Sequence, residues 1–222
     1  MANKIVGIFG GAFDPVHKGH IKIAEQCVVK LGMDKVIIVP TGISPFNKIL
    51  TDDKVRLSII KIAFTDKWYE ISDYELRQSK KDKKPSFTIN TIKYLARESS
   101  TSYVLILGSD SLLTIDQWHK WQDILGYCHL LIISREDKDF NFNILKPSIR
   151  DFVIKNKVNE FNNLLNKSYG GIFFTKFSFL PYSSSEIRSR ISQKKSIKSL
   201  VSPEIFEFIS KTGCYDSDGQ RI

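Results

Sequence analysis

The chain has 222 residues, 42% of them hydrophobic, with a formal net charge of +9 at pH 7 and three cysteines. That length suits one α/β domain and can bury a substantial core without covalent help. Cys27, Cys128 and Cys214 are odd in number and in no paired spacing, which excludes a disulfide framework and a cysteine zinc site; no apolar run approaches the ~20 residues that span a bilayer, so a cytoplasmic protein with no membrane partner is expected.

Apolar runs at 5–9, 36–39, 104–107, 130–133 and 172–174, with a weaker one at 69–72, predict strands. Most are continuously apolar, which implies cover on both faces. Between them, 18–31 predicts a helix with Ile21, Ala24, Val28 and Leu31 on one stripe and Gly32 just past its end. Thr51-Asp52-Asp53 opens another, with Val55, Ile59, Ile62 and Ala63 inward, and further helices are predicted over 88–97 and 111–125, the latter broken, and over 149–165. This alternation argues for an α/β fold: a doubly wound, Rossmann-like parallel sheet with helices on both faces. One domain over 1–215 is expected, with 137–171 as a connecting helix or insertion and 216–222 as a polar tail.

Directly after the first strand comes Gly10-Gly11-Ala12-Phe13-Asp14-Pro15-Val16-His17-Lys18-Gly19-His20. Glycines at a strand exit let backbone approach an anion, and the following helix aims unpaired N–H groups and a partial positive charge at the same place. Strand, Gly turn and helix are common in α/β proteins, and a lone histidine is more often packed than functional. Two of the chain's four histidines at i, i+3, straight after a glycine pair, point instead to hydrogen bonds on one phosphate.

Near the other end, Tyr182-Ser183-Ser184-Ser185-Glu186-Ile187-Arg188 opens a short helix. A capping box of Ser183 and Glu186 explains one hydroxyl and one carboxylate. It leaves three consecutive hydroxyls and an early Arg188, which the helix dipole disfavours by roughly 0.3–1 kcal/mol unless an anion is near. A bound polyphosphate would satisfy both. Gly10-Gly11, Pro40-Thr41-Gly42, Gly108-Ser109-Asp110 and Ser134-Arg135 each follow a strand exit, where ligands of such sheets collect. The basic stretches 79–84 and 194–198 read as solvated faces.

The two loops resemble the HxGH nucleotidylyltransferase superfamily, with its HxGH box at His17-Lys18-Gly19-His20 and its ISSTxxR box at 182–188. The chain further resembles the bacterial nicotinate mononucleotide adenylyltransferases through Gly10 to Pro15, Ser72-Asp73-Tyr74-Glu75-Leu76, Pro85-Ser86-Phe87-Thr88, Gly108-Ser109-Asp110, Trp118-His119-Lys120-Trp121 and Ser134-Arg135, in family order. Two departures stand out. The loop usually of PxxxPPHK type reads Pro40-Thr41-Gly42-Ile43-Ser44-Pro45-Phe46-Asn47-Lys48, without its histidine, and Tyr182 and Ser185 replace the Ile and Thr of the second box.

The resemblance implies adenylyl transfer from ATP to nicotinate mononucleotide, giving nicotinate adenine dinucleotide and pyrophosphate in NAD biosynthesis. It implies Mg²⁺ carried with ATP and no metal site of the protein's own. By the same resemblance the catalytic groups are His17, His20, Lys48 and Arg188. ATP falls to Gly10, Gly11, Ala12, Phe13, His17, His20, Gly108, Asp110, Ser183, Ser184 and Arg188, and nicotinate mononucleotide to Lys48, Thr88 and Trp118. The alternative reading of Trp118, less favoured than the ligand role, is a core residue, and that of Thr88 is a plain helix cap. Pantetheine-phosphate adenylyltransferase and other HxGH enzymes are the alternatives, as is a nicotinamide preference. A basic nucleic-acid module is remote because the cations are dispersed, so no nucleic-acid partner is expected. A homo-oligomer stays open.

Overall fold

The computed structural model describes residues 4–97, 100–135, 140–177 and 182–216. All six expected strands form: β1 (Lys4–Gly11), β2 (Lys35–Pro40), β3 (Tyr69–Ile71), β4 (Thr101–Gly108), β5 (His129–Arg135) and β6 (Ile172–Phe177). They make one sheet in the order β3-β2-β1-β4-β5-β6, with β1–β4, β4–β5 and β5–β6 parallel. This is the Rossmann order, which reverses direction between β1 and β4. Helices connect the strands, as parallel crossovers require.

The chain divides into two compact units, one of Met1–Gly10, Gln26–Ile37 and Phe87–Ser178, the other of Gly11–Glu25, Ile38–Ser86 and Phe179–Ile222. The core of the first is strand-built: Ile5, Val6, Ile8 and Phe9 of β1, Val104 to Leu107 of β4 and Leu130 to Ile133 of β5 are buried. Continuous apolarity thus reports strands covered on both faces.

α1 (Lys18–Val29) ends before Gly32, whose φ of 68° is the left-handed geometry that suits glycine after a helix. Its deepest residues are Ala24 and Cys27, both fully buried, while Ile21, Val28 and Leu31 lie half-buried. α2 (Asp53–Ala63) is capped by Asp52, which accepts the Lys54 N–H. Its inner face is Arg56, Ile59 and Ile60 rather than the expected Val55, Ile59, Ile62 and Ala63. The stripe is rotated because a charged residue takes an inner position.

α4 (Thr88–Leu95) is capped by Phe87, so Thr88 is its first helical residue and not its cap. The expected helix over 111–125 is broken into α5 (Ser109–Leu112) and two 3₁₀ turns, Ile115–Gln117 and Trp121–Gly126. The expected helix over 149–165 also shortens: α6 (Pro147–Asn156) stops where Lys157 bridges to Ile172, and a 3₁₀ turn (Phe161–Asn166) follows. The expected connecting helix or insertion at 137–171 falls partly on 137–139, and the expected polar tail almost wholly on 217–222, outside the described residues.

Two helices exceed the sequence expectations. α3 (Tyr74–Asp82) is strongly polar and buries Glu75, Leu76 and Ser79. α8 (Pro203–Thr212) has a Ser202 cap, Pro in its first turn and Gly213 at its end, and buries Ile205 and Ile209. Between them in the chain, α7 (Ser184–Ser192) carries the serine motif. Among the described residues no helix is long and apolar enough to cross a membrane.

Candidate active site

The glycine–histidine loop from Gly11 onward, the loop after β2, the start of α7 and the end of the described chain belong to the second unit. His17 sits just ahead of α1, and its carbonyl accepts the His20 N–H at 2.9 Å. The two rings stack at 3.7 Å with planes 22° apart. Each Nδ1 faces the other residue's backbone N–H, at 3.3 and 3.4 Å. An Nδ1 that accepts leaves the proton on Nε2, so both neutral rings present Nε2–H as donor. Burial lowers the His17 pKa to about 4, and burial together with the His17 charge holds that of His20 well below the ordinary imidazole value. Both are neutral donors at pH 7 in the absence of an anion.

Phe13 adopts φ 49°, a geometry that a bulky L residue rarely takes. Its ring is buried, edge-on to His20 at 5.0 Å and to Phe64 at 6.3 Å. Packing of the ring compensates backbone strain of roughly 1–3 kcal/mol. The ring is thus core.

The serine turn docks onto this loop. Ser184 Oγ donates to the Pro15 carbonyl at 2.9 Å, and Arg188 Nη1 donates to the Asp14 carbonyl. Arg188 also lies 3.9 Å from the Asp14 carboxylate. The conflict between a cation and the helix dipole is therefore relieved by a carboxylate of the chain itself. Ser183 is the α7 cap, accepting the Glu186 N–H at 3.1 Å, and Ser185 Oγ accepts from Arg188 at 3.3 Å. The side-chain half of the capping box does not form, since Glu186 pairs with Arg190 at 3.1 Å.

Asp14, Arg56 and Tyr215 carry structure here that no sequence expectation assigned. Asp14 is 1% exposed; its carboxylate accepts the Thr51 N–H at 3.2 Å and the Tyr215 hydroxyl at 3.0 Å. Burial and the Asp14 charge push the Tyr215 pKa up, so its hydroxyl stays protonated and donating. Arg56, fully buried, donates from Nε to the Thr51 carbonyl at 3.0 Å, from Nη1 to that of Ala12 at 2.8 Å and from Nη2 to that of Thr41 at 2.8 Å, with Asp53 at 2.6 Å. The signal for Arg56 was present in the sequence: it lies three and four residues before Ile59 and Ile60, on their helical face.

Lys48 is exposed and lines a cavity of about 380 Å³ together with Ser44, Thr51, Ser79, Lys80 and Lys83. Lys80 and Lys83 come from the stretch read as a solvated face. They are exposed, and they share the lining of this cavity with Asp52 and Asp53. Gly42 is required in its wall: a Cβ there would lie 2.2 Å from Ser79 Oγ and 2.5 Å from the Glu75 carbonyl.

Gly10, Thr88, Gly108, Asp110 and Trp118 belong to the first unit. The space over Gly108 is open, and Asp110 is exposed in α5. Trp118 is half-buried at the end of a 3₁₀ turn, with its N–H on the Ile115 carbonyl at 3.0 Å. Beside it, His119 packs on the Phe87 ring at 4.6 Å. Among the described residues no three His, Cys, Asp or Glu side chains gather as a metal centre.

A cytidylyltransferase-like family model matches residues 8–190. A probable nicotinate-nucleotide adenylyltransferase of Psychromonas ingrahamii is 32% identical over 95% of this chain and 96% of its own. One of Clostridium novyi is 30% identical over 94% and 98%. Among solved structures, the Plasmodium falciparum nicotinic acid mononucleotide adenylyltransferase complexed with APC matches with a TM-score of 0.69 at 19% identity, covering 98% of this chain and all of its own. A putative nicotinate-nucleotide adenylyltransferase from Vibrio parahaemolyticus matches with a TM-score of 0.63 at 16% identity, covering 97% of each chain. These structures share the fold.

Proposed function

Because the chain belongs to the cytidylyltransferase-like family, we propose that it transfers the adenylyl group of ATP to nicotinate mononucleotide, forming nicotinate adenine dinucleotide and pyrophosphate. The observation that carries this reading is the docking of the serine turn, through Ser184 and Arg188, onto the loop between the glycines and the histidines. Two segments 169 residues apart in the chain thereby meet.

In the reaction a phosphate oxygen of the mononucleotide attacks the α-phosphorus of ATP in line, a P–O bond forms, and the bond to the β,γ-pyrophosphate breaks. The nucleophile is already ionised at pH 7, so no general base is needed. Catalysis then rests on aligning two polyanions and stabilising charge on the transferring group. The Nε2–H groups of His17 and His20 suit that task as fixed neutral donors.

In this reading Gly10, Gly11, Ala12 and Phe13 give the triphosphate backbone contacts, and Ser183, Ser184 and Arg188 hold its β,γ end. Lys48 takes the mononucleotide phosphate, Gly108 and Asp110 the adenosine, Thr88 the nicotinate carboxylate through its N–H, and Trp118 the pyridine ring. ATP arrives with a divalent ion, Mg²⁺ by the hardness of phosphate oxygens. That ion travels with the substrate.

The test offers purified protein ATP, Mg²⁺ and, separately, nicotinate mononucleotide, nicotinamide mononucleotide and phosphopantetheine, with the product identified by mass. Nicotinate adenine dinucleotide formed fastest is the expected result. Preferential turnover of phosphopantetheine, or of the amide, would overturn the assignment.

A further inference from the structure

We propose that Arg56 is a positioning residue that sets the loop carrying Lys48 against the glycine–histidine loop. The proposal rests on the function given above. One guanidinium holds the carbonyls of Thr41 and Thr51, the two ends of the segment bearing Lys48, and the carbonyl of Ala12, next to Phe13. Peptide planarity carries each constraint across the bond: fixing a carbonyl fixes the amide that follows it, here those of Phe13, Gly42 and Asp52.

The chemistry explains why arginine serves. Three acceptors approaching from separate chain segments match the rigid planar fork of a guanidinium, whereas an ammonium offers one point charge on a flexible stem. A fully buried cation is tolerated only when paired and hydrogen-bonded. Asp53 supplies the counter-charge and the three carbonyls the remaining acceptors. The segment has little slack on its other side, because Gly42 already lies against Ser79 and the Glu75 carbonyl. Two of the three bonded carbonyls bound the Lys48 segment, and only one belongs to the glycine loop. The glycine loop has a separate tie, the Thr41 N–H to the Gly11 carbonyl at 2.8 Å. Loosening Arg56 should therefore disturb the mononucleotide side more than the ATP side.

Steady-state kinetics of the wild type, Arg56→Lys, Lys48→Ala and the double variant test this. In Arg56→Lys the KM for nicotinate mononucleotide should rise about tenfold or more while that for ATP moves less than about threefold. In the Lys48→Ala background the same substitution should add less than about threefold, because both changes act on one contact. Equal effects on the two KM values, or fully multiplicative effects in the double variant, would overturn the proposal. Should Arg56→Lys fail to fold, Asp53→Asn, which loosens the guanidinium without removing it, is held to the same split and the same cycle. If the wild type makes no nicotinate adenine dinucleotide, the functional reading fails on its own. The tether is then judged by hydrogen exchange: the amides of 42–44 and 46–50 should exchange faster in the variant, and unchanged exchange would sink it.

Discussion

Buried histidines occur in two regions of this molecule, and they differ in how their ring nitrogens are used. His129, on β5 and fully buried, accepts the Gly171 N–H at Nδ1 (3.1 Å) and faces the Lys167 carbonyl with Nε2 at 3.1 Å. His17, ahead of α1 and 7% exposed, uses Nδ1 on the His20 N–H, and among the described residues its Nε2 meets no hydrogen-bond partner. Both have their pKa lowered to about 4, chiefly by burial. Burial and a displaced pKa therefore do not separate a core histidine from a site histidine. What separates them is the donor left over after the fold has taken its share.

The largest effect that tests this contrast is kinetic. His20→Ala should lower turnover on the order of 10²–10³, the scale of losing one preorganised transition-state donor. Pyrophosphate release close to wild type in that variant would remove the site half of the comparison. His129→Ala should do the reverse: it leaves the Gly171 N–H and the Lys167 carbonyl unpaired and should cost about 3 kcal/mol of stability, read by urea unfolding. Specific activity of the folded fraction should stay at the wild-type level. A comparable loss of turnover would mean that His129 is not merely structural.

Acid should expose what the two regions share. Between pH 6.5 and about 4 an unfolded histidine binds a proton that the buried one does not, so stability falls as pH falls through that window and is fully present above it. For His129 the contribution is up to about 3 kcal/mol, and the pH slope of unfolding should be shallower in His129→Phe. The ratio of wild-type to His17→Asn kcat/KM should be flat from pH 6 to 8, because His17 is already neutral there. A break near 6.5 would show an imidazolium at work. The smallest effect concerns a hydroxyl partly used by the fold: Ser183→Ala should cost about 1 kcal/mol as a lost helix cap. Loss of ATP affinity beyond that cost would show that the hydroxyl also serves the ligand.

Much of the fold was legible because its signals are local. Continuous apolar runs located five of the six strands and a weaker, alternating run located β3, and Gly32, Asp52 and Ser183 marked helix ends through turn and cap chemistry. α8 was legible by the same rules, with its cap, its first-turn proline and its terminal glycine. α3 was not: in Tyr74–Asp82 the only apolar buried residue is Leu76, and what holds the helix is polar, such as Ser86 Oγ on the Glu75 carboxylate at 2.7 Å. The break in 111–125 was expected, whereas the stop after Asn156 was hard to read, since sheet pairing at Lys157 competes with helix periodicity.

The sequence by itself determined which segments become strands, where a glycine-rich loop follows the first of them, and that two imidazoles stand three residues apart beside it. Those properties depend on neighbours a few residues away, which propensity and periodicity encode. Only the tertiary structure decided that Asp14 answers Arg188 and Tyr215, at separations of 174 and 201 residues, and that Arg56 turns inward to gather three carbonyls. A buried polar group must find its partner wherever the chain closes, and linear order holds no term for that distance.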